Sequence, residues 1–360
     1  MGFSSLRTVA FRNLADSETD IRGKDIFLIG ENGQGKSNFL EALYFCSYAS
    51  SFRGCKDKDL VRNGERDCSA SAVLDSSGNV NVMIKDGKKI ITLDKKRLED
   101  RKDLLSLVPV IVFCHEDMEF VAGSPERRRW FFDQCRSLWD TLYLDDLRKF
   151  RHVLKSRNAL FRNVHNGSLS RENTALLDAL DPQLAHYGLE LTVKRRETAE
   201  KFSFVFEPLY REISGIPGIG VKYIPSWRQE SVNEIITLLA EKRQTDFSIG
   251  TSMSGPHRDR YLFTKDGEDF SGNASTGQRR LLALLLRVAQ AMIFSEKTGK
   301  KPVLLLDDVL LELDGEKRRK FISVMPEYDQ AFFTFLPDES YEKYRKPDTI
   351  VYNMKNGQIT

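Results

Sequence analysis

The feature that most constrains this chain is a glycine-rich stretch at residues 30–37, which reads Gly-Glu-Asn-Gly-Gln-Gly-Lys-Ser. An apolar run at residues 25–29 precedes it, and a helix-forming segment follows it. Closely spaced glycines let main-chain N–H groups converge on an anion, and the N-terminus of the following helix adds partial positive charge. The sequence therefore predicts a strand, a phosphate-binding loop and a helix, and hence an α/β fold.

The stretch matches the pattern G-x-x-x-x-G-K-[ST], in which the lysine reaches the β- and γ-phosphates and the hydroxyl ligates Mg²⁺. We therefore predict ATP and Mg²⁺ as cofactors, with Lys36 in a catalytic role and Ser37 as a metal ligand. The alternative is a glycine-rich turn that holds no ligand, and the complete strand, loop and helix context disfavours it. The predicted nucleotide contacts are Gly30, Glu31, Asn32, Gly33, Gln34, Gly35, Lys36 and Ser37.

A second motif lies near the other end, where the apolar run Val303-Leu-Leu-Leu ends in Asp307 and Asp308. Two carboxylates at the end of a buried strand fit a magnesium and water site. Asp307 would hold Mg²⁺, and Asp308 would polarise the attacking water as a general base. An acid pair that caps the next helix is the alternative. The presence of the phosphate-binding loop favours the nucleotide site.

A third motif, Ser-Thr-Gly-Gln at residues 275–278, opens the strongest predicted helix, at residues 278–294. A helix N-terminus with a hydroxyl and a glycine is an anion site, so Ser275, Gly277 and Gln278 are further predicted nucleotide contacts. Taken alone, the tetrapeptide fits a plain helix cap better than a nucleotide contact. Its position shortly before the Asp307-Asp308 strand favours the nucleotide role.

Composition sets broad limits on the remaining possibilities. The 360 residues carry a net charge of +3 and five scattered cysteines without a C-x-x-C pair. We expect reduced thiols, no zinc site and no membrane span, with the cytoplasm as the default location. The small net charge permits DNA binding without requiring it, because binding depends on where basic residues cluster.

The pattern of residues changes along the chain. Short strand-like runs fill the first hundred residues, and residues 125–213 show helical periodicity. Gly167, Pro182 and Gly188 interrupt this stretch and disfavour a long coiled coil. We therefore expect an ATPase domain made of residues 1–125 and 250–360, with a compact, mostly helical lid domain inserted at 126–249.

The three motifs, in this order, resemble the ABC-type ATPase class with an SMC-head-like plan. In that class the Ser-x-Gly-Gln segment binds the γ-phosphate of a nucleotide held by the other protomer, which implies an ATP-dependent homodimer. Segments along nearly the whole chain are similar to the bacterial RecF recombination-mediator family. They are Phe-Arg-Asn at 11–13, the loop block at 29–44, Gly-Ser-Pro-Glu-Arg-Arg-Arg at 123–129, Gly-Pro-His-Arg-Asp at 255–259, and Asp-Asp followed by Glu-Leu-Asp at 307–314.

The resemblance implies ATP-dependent binding of double-stranded DNA and of single/double-strand junctions, with slow DNA-stimulated hydrolysis of ATP. It also implies recombinational repair and replication restart, in which RecR and RecO cooperate to load the RecA recombinase. Three positions depart from the family pattern, namely Phe52, His115 and Arg260. None of the three is a predicted phosphate or magnesium ligand, so the ATPase prediction is unaffected.

A basic stretch at residues 148–162 contains no acid, and helical spacing would place several cations on one face as a track for DNA phosphates. A solvated helix face is the equal alternative. Arg127, Arg128 and Arg129 could also touch DNA, but we expect them to be structural. We expect Trp130 and Trp139 to lie in the core rather than to stack on bases. The predicted track comprises Arg148, Lys149, Arg151, Lys155, Arg157 and Arg162, of which the first four are the DNA-binding candidates.

Two other functions remain open. The energy subunit of a transporter is disfavoured by the size of the helical insertion and by Thr334, since such subunits carry a histidine there. A scaffold that binds ATP without turnover is disfavoured by Asp308, although an aspartate is shorter than the glutamate common at this position and fits slow hydrolysis.

Overall fold

The computed structural model describes residues 2–75, 78–162, 171–310 and 313–359. The chain forms two compact units, Met1–Met118 with Thr276–Thr360, and Glu119–Ser275. Gly167 and Glu312, which entered the sequence predictions, lie outside the described residues.

The strands are β1 (Phe3–Val9), β2 (Ser17–Asp20), β3 (Asp25–Ile29), β4 (Cys68–Leu74), β5 (Gly78–Lys85), β6 (Lys88–Leu93), β7 (Lys96–Arg97), β8 (Val110–Phe113), β9 (Ile219–Ile224), β10 (Arg260–Lys265), β11 (Glu268–Asp269), β12 (Val303–Leu306), β13 (Gln330–Phe335), β14 (Ile350–Lys355) and β15 (Gln358–Ile359). The α-helices are α1 (Lys36–Tyr48), α2 (Lys102–Leu105), α3 (Pro125–Ser137), α4 (Thr141–Arg162), α5 (Arg171–Ser214), α6 (Val232–Ile249), α7 (Thr276–Thr298) and α8 (Gly315–Ser323). Short 3-10 helices lie at Asp57–Leu60, His115–Phe120, Pro256–Arg258 and Tyr341–Tyr344.

Two six-stranded sheets organise the first unit. One is antiparallel with strand order β2-β1-β4-β5-β6-β7. The other has the order β15-β14-β3-β13-β12-β8, and its five strands from β14 to β8 are parallel. Parallel strands are buried on both faces, which explains the continuous apolar runs of β3 and β12. The carboxyl ends of β3, β13 and β12 lie side by side at one edge.

Helix α1 connects the phosphate-loop segment to the core of this unit. Eleven of its thirteen residues are buried, because it packs against β4 and β5 of one sheet and against β13 and β8 of the other. A helix that is buried on nearly all sides fits such a position between two layers. The start of α1 is therefore held rigidly at the end of β3.

The second unit combines helices α3 to α6 with the small antiparallel sheet β11-β10-β9. Helix α5 runs without a break for 44 residues, about 66 Å at 1.5 Å per residue. The prediction that Pro182 and Gly188 interrupt the helical stretch was therefore wrong. At Gly188 the reason is packing, since a Cβ there would lie 2.3 Å from Cζ3 of the buried Trp227.

The strands predicted before the phosphate-binding loop and before Asp307, and the helix predicted at residues 278–294, are confirmed. Strand β3 has the predicted bounds, and α7 extends the predicted helix at both ends. The turn at Asp86-Gly87 joins β5 to β6 with φ values of 48° and 70°. All five cysteines are free thiols. None of the helices in the described ranges is both long and apolar enough to cross a bilayer.

Candidate nucleotide-binding site

The loop between β3 and α1 has the geometry of an anion cradle. Gly33 and Gly35 adopt positive φ values of 79° and 110°, which glycine tolerates best. Gly35 is the residue before α1 and provides no side-chain cap, so the first N–H groups of the helix are open to an anion. The Lys36 ammonium turns back over the loop and donates to the carbonyl oxygens of Gly30, at 2.6 Å, and Glu31, at 3.2 Å.

The two predicted magnesium ligands are in contact. The Ser37 hydroxyl donates to Oδ1 of Asp307 at 2.7 Å, which joins the start of α1 to the end of β12 across 270 residues of sequence. Burial raises the pKa of Asp307 to about 6, and the nearby charge of Asp308 acts in the same direction. A hydroxyl and a carboxylate are oxygen ligands of the kind that Mg²⁺ takes alongside substrate phosphates. The residues present therefore fit a magnesium-nucleotide complex.

Asp308 lies next to this pair in an uncommon conformation. Its φ is 54°, in the left-handed region. Its main-chain N–H donates to the Thr334 hydroxyl at 2.8 Å, and that hydroxyl donates to Oδ1 of Asp308 at 2.7 Å. From the sequence, Thr334 served only to disfavour a transporter subunit, and its contact with Asp308 was missed. A signal was available, because Thr334 lies in a strand-like apolar run at residues 331–336.

The Ser-Thr-Gly-Gln motif lies at the surface at the start of α7. Ser275 directly precedes the helix and is exposed, as is Gly277 in its first turn, while Gln278 is half-buried. A Cβ built on Gly277 would meet no atom within 4 Å, so space is open beside the helix start.

Farther along α7, Arg287 forms a buried ion pair with Asp117 at 2.6 Å. Asp117 follows β8 and also accepts from the Cys114 main-chain N–H at 3.1 Å. Burial raises the pKa of Asp117, which its partner Arg287 partly offsets. This pair ties α7 to the edge where the parallel strands end, and sequence reasoning did not identify it.

The basic stretch predicted as a phosphate track lies on α4. Arg148, Lys149, Arg151, Lys155 and Arg162 are exposed. Arg157 is fully buried and pairs with Asp181 at 2.8 Å and Asp246 at 2.6 Å, so its inclusion in the track was wrong. A cation inside a helical unit is stable only with such partners, and the distant acids that supply them gave no local signal in the sequence.

Not every exposed cation of α4 extends freely from the helix. Arg148 lies 3.6 Å from Asp145, and Arg151 lies 3.9 Å from Asp133. The Lys149 ammonium lies over the Tyr187 ring at 5.4 Å from its centroid.

The Gly-Ser-Pro-Glu-Arg-Arg-Arg segment begins α3. The Ser124 hydroxyl caps the helix by accepting from the Arg127 N–H, and Pro125 occupies its first turn. Arg128 donates to the carbonyl oxygen of Tyr261 at 3.2 Å, and Arg129 donates to that of Asp259 at 2.7 Å. The structural role expected for these two arginines is therefore confirmed, with main-chain oxygens as partners.

The two tryptophans near these arginines are more exposed than the core positions predicted for them. Trp130 is 39% exposed and stacks on Phe120 with ring centroids 5.7 Å apart, so its placement in the core was wrong. It occupies the outer side of α3 while its neighbours Phe131 and Phe132 fill the inner side. Trp139 is half-buried.

The Gly-Pro-His-Arg-Asp segment contributes to a buried charge network in the same unit. The Asp259 carboxylate accepts from Arg195 at 2.8 Å and from the main-chain N–H of Ser226 at 2.8 Å. Arg195 also pairs with Asp133 at 2.9 Å. Burial raises the pKa of Asp259, which these partners counter. The network therefore joins α3, α5 and the chain before β10.

Comparison with known proteins agrees with these features. The family described as RecF/RecN/SMC N terminal domain matches residues 3–360. The DNA replication and repair protein RecF of Treponema pallidum (strain Nichols) is 41% identical, over 98% of this chain and 99% of the relative. RecF of Streptococcus equi subsp. equi (strain 4047) is 33% identical, over 100% of this chain and 98% of the relative.

Solved structures of RecF and of an Smc head domain are also similar to this chain. A structure of the recombination mediator protein RecF with ATP, from the RecFOR pathway, matches with a TM-score of 0.87 and 27% identity, over 99% of this chain and 96% of that chain. An Smc head domain from Pyrococcus furiosus matches with a TM-score of 0.55 and 16% identity, over 99% of this chain and 95% of that chain, which supports the fold alone. The fold is therefore that of an ABC-type ATPase head, and the chain belongs to the RecF family of DNA replication and repair proteins.

Proposed function

We propose that this protein is an ATP-switched DNA-binding protein of recombinational repair, with slow hydrolysis of ATP as the reset step. The observation that carries the proposal is the 2.7 Å contact between Ser37 and Asp307, which unites the two halves of a nucleotide site. The similarity to RecF structures solved with ATP supports the same ligand.

Each residue of the site has a role in this proposal. The N–H groups of residues 30–37 and the Lys36 ammonium would bind the phosphates, and Ser37 and Asp307 would hold Mg²⁺. When bound, the metal would neutralise phosphate charge and polarise the terminal phosphate. Asp308 would orient the attacking water and accept its proton. An aspartate reaches less far than a glutamate, which fits slow turnover.

The proposal includes a homodimer that forms around ATP. Ser275 and Gly277 are exposed and Gln278 is half-buried at the start of α7, where a helix N-terminus can face the phosphates held by a second copy. Nucleotide would then favour the closed dimer, and hydrolysis would return the open state. The matched test is Ser275→Arg, which should block ATP-dependent dimerisation in sedimentation while mant-ADP binding persists. Dimerisation of that variant with ATP would refute the cross-protomer assignment.

For DNA we propose the exposed face of α4, with Arg148, Lys149, Arg151 and Lys155 as phosphate contacts. Such contacts position a duplex without reading its sequence, so binding should depend on DNA shape and on salt. The partners implied are double-stranded DNA, single/double-strand junctions, and RecR and RecO in the loading of RecA. The proposal also includes an ATPase domain made of residues 1–125 and 250–360, with a mostly helical lid domain at 126–249.

The deciding experiment measures binding of a dye-labelled duplex of arbitrary sequence by fluorescence anisotropy, with and without ATP, for the wild type and Lys36→Arg. Tight binding that requires both ATP and Lys36 supports the switch. A Lys149→Ala, Lys155→Ala double variant should weaken binding and lower the salt dependence, whereas Lys88→Ala, at an exposed lysine of β6, should not. Nucleotide binding without any DNA binding would favour a scaffold or a transporter subunit.

A further inference from the structure

The hairpin formed by β14 and β15 lies against the outer side of the phosphate-binding loop. Its two-residue turn, Asn356-Gly357, has φ values of 49° and 76°, the conformation that suits a tight hairpin. The Gly357 N–H donates to the Gln34 carbonyl at 2.9 Å, and the Asn356 N–H donates to Oε1 of Gln34 at 2.6 Å. One loop residue is therefore held by two consecutive N–H groups of the turn.

A second contact holds the preceding peptide of the loop. The Asn13 side-chain amide donates to the Gly33 carbonyl at 3.0 Å. The turn is itself fixed to this segment, because the Ala15 N–H donates to the Gly357 carbonyl at 2.9 Å. At the other end of the loop, a Cβ on Gly30 would lie 2.5 Å from the Met354 carbonyl oxygen of β14. The hairpin thus borders the loop from Gly30 to Gln34.

These contacts determine where the loop N–H groups point. In a trans peptide the C=O and the N–H of the same plane point in opposite directions. Because the Gln34 carbonyl is bound on the outer side, the N–H of Gly35 faces the inner side of the loop, where an anion would bind. The N–H of Gln34 instead donates to the Glu31 carbonyl at 3.4 Å, within the loop. Fixed donors of this kind bind a phosphate without a cost of reorganisation.

We propose that the Asn356-Gly357 turn is a brace that orients the phosphate-binding loop, and that Gly357 is a positioning residue for nucleotide binding. This rests on the nucleotide site proposed above. A Cβ at Gly357 would lie 1.9 Å from the Asn13 carbonyl oxygen, so no other residue fits without displacing Asn13 or the turn. Either displacement releases the carbonyls that the brace holds.

The test compares Gly357→Ala with Gly87→Ala. Gly87 occupies the equivalent place in the β5–β6 hairpin of the same unit, with a φ of 70°, but a Cβ there would meet no atom within 4 Å. Both variants suffer similar backbone strain, and the clash with Asn13 adds to the loss of thermal stability in Gly357→Ala, so affinity is measured well below the unfolding temperature of each variant. We expect mant-ADP affinity to fall at least about tenfold, or 1.4 kcal/mol, in Gly357→Ala and less than about twofold in Gly87→Ala.

Two further readouts separate positioning from general destabilisation. Inorganic pyrophosphate should lose potency as a competitor of mant-ADP by the same factor, because the brace acts on the phosphate loop. In the wild type, ADP should slow hydrogen exchange in a peptide containing Gly357 but not in one containing Gly87. Because it uses only the wild type, the exchange measurement tests the proposal even if Gly357→Ala does not fold.

The outcomes distinguish this inference from the nucleotide site itself. Equal affinities in Gly357→Ala and the wild type, equal losses in the two glycine variants, or an unchanged exchange rate at Gly357 would overturn the brace. Absence of mant-ADP binding by the wild type, or undiminished binding by Lys36→Ala, would instead overturn the nucleotide site.

Discussion

Thr334 and Asp308 are bound to each other through two hydrogen bonds that share one hydroxyl, which accepts from the Asp308 main-chain N–H and donates to its carboxylate. A non-glycine residue with a φ of 54° carries a conformational cost of about 1 kcal/mol. The Thr334 hydroxyl offsets that cost and fixes the carboxylate. β13 thereby determines the orientation of the proposed general base.

Replacing Thr334 with valine should lower the ATPase kcat about tenfold, because the hydroxyl that orients Asp308 is lost while the shape of the side chain is retained. The KM for ATP should change little, since the phosphate contacts are elsewhere. Steady-state hydrolysis with saturating duplex DNA measures both, and Thr334→Ser, which keeps the hydroxyl, is the control. A kcat within twofold of the wild type in Thr334→Val would contradict the orienting role.

Arg157 should be essential for the stability of the second unit. Its removal leaves the carboxylates of Asp181 and Asp246 buried and only partly compensated, so Arg157→Ala should lower the free energy of unfolding by about 3–5 kcal/mol. Arg151→Ala, on the exposed face of the same helix, should change it by less than about 0.5 kcal/mol. Urea unfolding followed by circular dichroism gives both values. Similar losses in the two variants would argue against the buried network.

His257 should make the protein less stable in mild acid. Burial lowers the pKa of His257 to about 4, its Nε2 lies 2.9 Å from the Ser252 carbonyl oxygen, and its buried Nδ1 has no hydrogen-bond partner among the described residues. The folded state therefore favours neutral imidazole, whereas the unfolded chain binds a proton at its ordinary pKa of about 6.5. The stabilisation is complete above that pH and is lost as the pH falls towards 4.

The loss should reach about 3 kcal/mol at pH 4, because the unfolded chain binds the proton with a pKa of about 6.5 and the folded protein with a pKa of about 4. We expect His257→Gln, which can still donate to Ser252, to reduce the dependence of unfolding free energy on pH between 6.5 and 4.5. Urea unfolding of both proteins at several pH values provides the comparison. Parallel pH profiles for the two proteins would exclude His257 as the source.

Gly188 should tolerate no larger residue while Trp227 is present. A Cβ at position 188 would overlap the indole ring, so Gly188→Ala should cost about 1–3 kcal/mol despite the better helix propensity of alanine. Thermal unfolding of Gly188→Ala, Trp227→Leu and the double variant forms a cycle. The double variant should be more stable than the sum of the two losses predicts. Strictly additive losses of stability would show that the cost of Gly188→Ala does not come from overlap with Trp227.

The sequence predicted the parts of this molecule whose signals are local. Neighbouring residues alone indicate the loop at residues 30–37, the strand before Asp307 and the helix that begins within the Ser-Thr-Gly-Gln motif. The structure contains each of these elements. The contact between Ser37 and Asp307 followed from combining two such motifs, because β3 and β12 are parallel strands of one sheet and their carboxyl ends lie at the same edge, on either side of β13.

What could not be predicted depends on partners distant in sequence. Arg157 appeared as one more cation in a basic stretch, since Asp181 and Asp246 lie 24 and 89 residues away. Gly188 and Pro182 appeared as helix breakers, because nothing local indicates that a tryptophan will fill the space of the missing side chain. Gln34 and Asn356 meet across 322 residues, and neither position carries a pattern that indicates the contact.

Arg128 and Arg129 bind main-chain carbonyl oxygens of Tyr261 and Asp259, which every amino acid presents. Substitutions at position 261 can therefore change the side chain without removing the acceptor. Loss of either arginine is different, because a new side chain at position 259 or 261 does not restore the missing guanidinium donor. In a genetic screen, a defective Arg129 variant should yield revertants at codon 129 but no suppressors at those two codons.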